Sequence, residues 1–273
     1  MATAVLSKYK LIIPSEHGSW SLTLVPFIIG AGVAAATSAT PGAALGGLLC
    51  LLAVMGVFLS RQPVTLWLRI TRGRGRRSQL PAARFWSLAL LAAAGLAGLG
   101  LLSLGRWPVM WLALPAVAVL LLTAALTQLL GPRQLSTELI GVVGLALAAP
   151  AAYISVAGRI DALAWVLWAL TAAHNVISIL YVRLRIDERH NRATPQMAAW
   201  VVAAHVVCLI AAVGAALAGW LPALIALPMA VLLVRAIVIA ARRPLVEDVK
   251  RFGFTEMGMG LAFAAVVIAA FAL

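Results

Sequence analysis

Apolar runs of roughly twenty residues return nine times along the chain, at 17–37, 42–59, 84–104, 108–130, 136–156, 161–183, 195–218, 220–241 and 254–273. Each is long enough to cross a hydrocarbon core of about 30 Å as an α-helix. In lipid every backbone N–H and C=O must find a partner inside the protein, and a helix is the one local way to do so. The expected fold class is therefore all-α: a polytopic transmembrane helical bundle forming a single domain over residues 1–273. Composition agrees, with 64% hydrophobic and 11% charged residues, where soluble domains carry about 25% charged. The alternating ten-residue strands of an outer-membrane barrel, about 10 residues each, are absent. The first run begins at Glu16 and His17, extends a full span and is followed at once by another, so it does not read as a cleavable leader.

Turn chemistry separates the runs at Thr40-Pro41-Gly42, Gly105-Arg106-Trp107-Pro108 and Gly131-Pro132. The break at Gly219-Trp220-Leu221-Pro222 is weaker, and eight spans result if it fails. Gly46, Gly47, Gly95 and Gly98 predict close helix approach. Trp20, Trp67, Trp86, Trp107 and Trp220 sit near span ends like an aromatic belt. Cys50 and Cys208 both fall in apolar runs and read as small buried hydrophobes, with no disulfide framework.

The net charge is +13. Its distribution points to membrane topology, and no nucleic-acid partner is expected. With nine spans, 18 of the 21 basic residues fall on the side of the N-terminus, among them Lys8, Lys10, Arg133 and the arginines of 61–84. Arg106 and Arg159 fall on the other side, and Arg235 lies inside a span. The positive-inside rule then predicts an inner-membrane protein with its N-terminus in the cytoplasm and its C-terminus outside.

Candidate chemistry gathers on the cytoplasmic side. His174, Ser178, Tyr181 and Arg185 are spaced 4, 3 and 4 apart, which puts them on one helical face with Asn175 at its border and Arg183 nearby. Polar groups at that depth face the bundle interior or a wet cavity. Two readings stand: a hydrogen-bonded seam between helices, or a ligand site open to the cytoplasm. Glu16-His17, Thr137-Glu138 and Thr255-Glu256 open three other spans, either as helix-start acids or as site residues. Residues 60–84 read as a cytoplasmic loop with seven arginines and no acid. Arg235 is expected to snorkel toward the cytoplasmic edge. Walker, His-Glu-x-x-His and Cys-x-x-Cys patterns are absent.

The motifs Pro14-x-Glu16-His17-Gly18-x-Trp20, Arg61-Gln62-Pro63, His174-Asn175 with Tyr181-Val182-Arg183, and Thr255-Glu256-x-Gly258 resemble the YwiC-like family of bacterial membrane proteins. A more distant resemblance is to the UbiA superfamily of intramembrane prenyltransferases. It rests on nine spans with polar segments after the second and sixth, on Arg76 to Pro81, on Leu145 to Tyr153 with Pro150, and on Tyr181 to Glu188. That resemblance implies a bundle around a central cavity open to the cytoplasm, where Mg²⁺ bridges Asp side chains to an isoprenoid diphosphate. The sequence departs from it: no carboxylate lies between Arg61 and Arg84, and Arg185 stands where an Asp is expected. Asp187 and Glu188 remain as weak metal candidates, in a setting where neighbouring arginines neutralise them.

The expectation is thus a cavity that takes an anionic or prenylated amphiphile, a prenyl lipid or a quinone, with no cofactor and no Mg²⁺. Its expected ligand-binding residues are Arg61, Gln62, Asn175, Ser178, Tyr181, Arg183, Arg185, Glu138 and Glu256. If the protein is an enzyme, it is a UbiA-like transferase acting on a prenyl or quinone-type lipid, with His174, Glu16 or His17 moving the proton. The alternatives are a non-catalytic subunit or assembly partner of a membrane complex, and a small-solute transporter.

Overall fold

A computed structural model describes residues 17–131, 134–243 and 246–273. Lys8, Lys10, Pro14, Glu16 and Arg133 lie outside the described residues, as does the side chain of His17. Among the described residues ten helices follow one another: α1 His17–Ser38, α2 Ala43–Thr71, α3 Leu80–Ser103, α4 Ala113–Leu130, α5 Leu135–Leu145, α6 Ala148–Ala157, α7 Ala162–Arg189, α8 Pro195–Leu217, α9 Ala226–Arg242 and α10 Val249–Ala272. Short 3₁₀ turns lead into α3, α4 and α9. Because α5 and α6 share one crossing, the described residues form nine segments long and apolar enough to span a membrane. The weak break does turn the chain: Gly219 takes φ 74°, a left-handed value open to glycine, before α9 begins.

Three helix ends differ from the expected ones. α2 runs on to Thr71, so Arg61, Gln62 and Pro63 are helical and the loop shrinks to residues 72–79. α7 continues to Arg189 and carries Asp187 and Glu188 within its last turn. Reading only the apolar run stops a helix at its first charge. Arginine, however, is a good helix former whose stem lies along apolar surface while its head reaches water. α10 starts at Val249, with Asp248 as its cap, accepting from the N–H groups of Lys250 at 2.8 Å and Arg251 at 3.2 Å. Glu256 is thus two turns inside α10 and not at its start.

The core lies on α6, all ten of whose residues are buried. Pro150 has no N–H to give, and the chain tightens ahead of it. Leu147 N–H meets the Gly144 carbonyl at 3.1 Å and Ala149 N–H meets that of Ala146 at 3.0 Å, which breaks span five into two helices. Glycine lets neighbours touch α6 backbone to backbone. A methyl group on Gly30 of α1 would collide with the Ala149 carbonyl, and one on Gly46 of α2 with the Ser155 carbonyl. Of the glycines singled out by sequence, Gly46 does this work, whereas Gly95 faces open space.

α10 lies beside α1 and runs parallel to it, with Gly260 against Ser21 and Val25 and Ile268 against Gly32. At the end opposite the arginine-rich turns, the buried Arg106 donates through Nη2 to Thr40 Oγ1 at 2.8 Å and to the Pro41 carbonyl at 2.9 Å. Thr40 donates in turn to the Val156 carbonyl at 3.0 Å.

Candidate functional site

The stripe on α7 turns inward and meets polar partners from three other helices. His174 is 5% exposed and stacks on Phe263 of α10 with ring centroids 4.2 Å apart. Below it, Arg235 of α9 reaches Glu256 of α10, Nη2 to Oε1 at 2.6 Å. The Arg235 guanidinium carbon sits 3.9 Å from the centre of the Tyr181 ring, a cation–π contact that is stronger where water is thin. Arg235 therefore does not snorkel to the edge: a carboxylate at its own depth holds it inside the bundle. His205 of α8 completes the cluster, buried, with Nδ1 2.8 Å from the Val201 carbonyl.

Two spaces flank this cluster. An inner chamber of about 10 Å³ is lined by His174, Ser178, Tyr181, His205, Arg235 and Glu256, among others. That is room for roughly one water. A more open groove of about 250 Å³ lies between α7, α9 and α10, lined by Tyr181, Arg185, Arg235, Ile239, Phe252, Thr255, Glu256 and Met259.

Three further carboxylates near the arginine-rich end are paired. Glu188 meets Arg185 one turn back on α7, both nearly buried. Asp187 meets Arg192 at 3.4 Å, and Glu138 meets Arg183 at 3.0 Å across α5 and α7. Among the described residues no three His, Cys, Asp or Glu side chains gather as a metal site would need.

Other expected site residues go elsewhere. Asn175 turns about 100° away from His174 around the helix. Its Nδ2 donates to the Leu22 carbonyl of α1 at 3.0 Å and the Val142 carbonyl of α5 at 3.1 Å. It ties three helices together and does not line either space. Arg61 and Gln62 sit on α2, which packs on α3, α4 and α6, while α7 packs on α1, α5, α6 and α8. Neither lines the inner chamber or the groove. Trp20 is not a free belt residue either, since it packs edge-on against Phe58 at 5.3 Å.

Sequence reasoning passed over His205 and the Arg235–Glu256 link. A signal existed: Arg235 lies seven residues before the end of α9 and Glu256 seven after the start of α10, roughly 10 Å deep in each case. Opposite charges at equal depth in consecutive antiparallel spans are natural partners.

The model of the YwiC-like protein family matches residues 13–153. The match ends within α6, so the groove on α7, α9 and α10 lies beyond it. The chain is 24% identical over 184 residues to a Bacillus subtilis (strain 168) protein described as an uncharacterized protein YwiC, covering 67% of this chain and 71% of that one. No solved structure matches.

Proposed function

The chain belongs to the YwiC-like family, and we propose that it binds a prenylated or anionic amphiphile in the groove between α7, α9 and α10, without Mg²⁺. The reading rests on the lining of that groove. Arg185, Arg235 and Tyr181 supply its polar groups, while Ile239, Phe252 and Met259 supply apolar wall. A guanidinium only donates hydrogen bonds, five of them, so two arginines select a headgroup with acceptor oxygens. Phosphate, carboxylate and quinone carbonyls all qualify. A space of about 250 Å³ takes a headgroup, and the tail extends along the half-buried apolar surface toward lipid.

Both arginines are already paired with carboxylates, so an anionic head competes with Glu256 and Glu188, whereas a neutral quinone head adds to them. Arginine here takes over the charge-neutralising role that Mg²⁺ has in UbiA-like transferases. The protein is read as a UbiA-like bundle of the inner membrane. The bias of basic residues supports a cytoplasmic N-terminus and a cytoplasmic 72–79 turn.

The test is a thermal shift of the purified full chain in EDTA with farnesyl diphosphate, decylubiquinone or farnesol as probe. Stabilisation by either of the first two but not by farnesol is expected, with affinity falling about tenfold or more in Arg185→Gln. Stabilisation that needs Mg²⁺ and disappears in Asp187→Asn would return the protein to transferase chemistry. No shift with any probe would sink the reading. For orientation, a membrane-impermeant thiol reagent should label Ala162→Cys and not Ser78→Cys in intact cells.

A further inference from the structure

The groove and the inner chamber share one wall. Tyr181, Arg235, Glu256 and Met259 line both, so the Arg235–Glu256 pair stands between a wider, more open space and a narrower inner one. What lies behind it is polar. His205 Nδ1 sits 2.8 Å from the Val201 carbonyl. A carbonyl can only accept, so this nitrogen carries the proton and Nε2 keeps its lone pair in the neutral ring. His174 is 5% exposed, and its buried Nδ1 has no hydrogen-bond partner among the described residues. Stacking on Phe263 holds the ring in place. A space of this size with polar groups on its wall has room for one water, whereas a dry cavity has apolar walls.

We propose that the chamber is an internal proton-accepting site in which a water links His174 and His205, and that the Arg235–Glu256 pair with the Tyr181 ring is its gate to the groove. Ionisable groups set inside membrane spans and facing the bundle interior mark proton relays. The transfer balances with one proton. Hydronium in the groove protonates the Glu256 carboxylate, which lets go of Arg235 and leaves a water behind. The carboxylic acid gives that proton through the chamber water to Nε2 of His205 or to the unpartnered nitrogen of His174. The carboxylate returns to Arg235, and an imidazolium remains.

The groups facing the two rings are Ser178 and Tyr181 from α7, Arg235 from α9 and Glu256 from α10. α1 brings the hydroxyl of Ser21 close by, against Gly260. This inference does not depend on what occupies the groove, and its test uses no ligand.

Deuterium exchange at the histidine Cε1–H, read by mass spectrometry on the full chain in nanodiscs from pH 5 to 9, measures access to and protonation of each ring separately. His174 and His205 should exchange slowly in the wild type, each with a pH-dependent step. In Arg235→Lys, which loosens the gate and keeps the proton carrier, both rates should rise several-fold, and in Glu256→Gln, which removes the carrier, they should fall, while the exposed His190 is unchanged and serves as internal reference. Arg235→Lys keeps the charge and reports on the gate even if Glu256→Gln fails to stay monodisperse. Glu138→Gln, which breaks an ion pair elsewhere on α7, should leave both rates alone. Exchange no faster in Arg235→Lys, exchange no slower in Glu256→Gln, or profiles with no pH-dependent step, would overturn the proposal.

Discussion

Around α6, helices meet through glycine and alanine, with Gly30 and Gly46 lying directly on neighbouring carbonyls. Around Arg235, helices α7, α8, α9 and α10 meet through guanidinium, carboxylate, phenol and imidazole. Lipid tails are as apolar as leucine, so burying more leucine does not hold membrane helices together. The first region answers with close approach and dispersion, which depends on shape and tolerates no added atom. The second answers with groups that need particular partners and must be satisfied as a set. One bundle therefore contains a seam that fails when something is inserted and a seam that fails when something is removed.

The largest effect should come from insertion into the first seam. Gly30→Val forces α1 off α6 and should destabilise by about 3 kcal/mol, read as loss of monodisperse protein or a large drop in Tm. Removal from the second comes next. Glu256→Gln leaves Arg235 partly buried without its carboxylate, at a cost of about 2 kcal/mol. The side chains keep 22% and 16% exposure, which holds the loss below that of a fully enclosed pair. The double variant Arg235→Met with Glu256→Gln should recover most of that loss, since no buried charge is left over. If it does not, the pair is a packing element like Gly30 and the contrast collapses.

A smaller effect is expected at Arg106, a polar group placed at the α6 end of the molecule. Arg106→Met removes its bonds to Thr40 and the Pro41 carbonyl and should cost about 1 kcal/mol in chemical denaturation. The smallest lies outside both seams. The Asp248 carboxyl is held below its usual range by the backbone N–H groups of Arg251 and Lys250. Its folded value is the lower one, so its contribution is full above the unfolded value and is lost as pH falls through the folded one. Amide protection at the start of α10, corrected for the intrinsic exchange rate at each pH, should therefore fall only in acid for the wild type, and be independent of pH over that range in Asp248→Asn.

The two regions were unequally legible in the sequence. Nine crossings follow from the length of apolar runs, a property of each segment alone. The α7 stripe follows from helical spacing, and the pairing of Asp187 and Glu188 follows from arginines a turn away. Contacts between helices are different, because they depend on how far each helix is slid and rotated against its neighbour. Hence Arg235 and Glu256, 21 residues apart in sequence, read as two separate edge residues. Asn175 was read with His174 because they are adjacent in the chain, although one step around a helix is enough to aim a side chain at a different neighbour. Gly30 passed unnoticed for the same reason, its partner being a backbone carbonyl that no residue identity announces. Charge alone suggests the end of a helix, and so the sequence puts Arg61 and Gln62 in a loop where α2 in fact runs on.

The contact of α10 with α1 has a consequence for how the protein is made. Spans leave the ribosome in order, and the first must wait until the last has been translated before its flank is covered. Until then Ser21 and Val25 lack their cover at Gly260, Arg235 has no carboxylate, and His174 has no Phe263 beneath it. Ring closure by the final span thus completes the core and the polar cluster in one event. A chain stopped at residue 248 should be recognised by membrane quality control as unfinished, even with eight of its crossings already inserted.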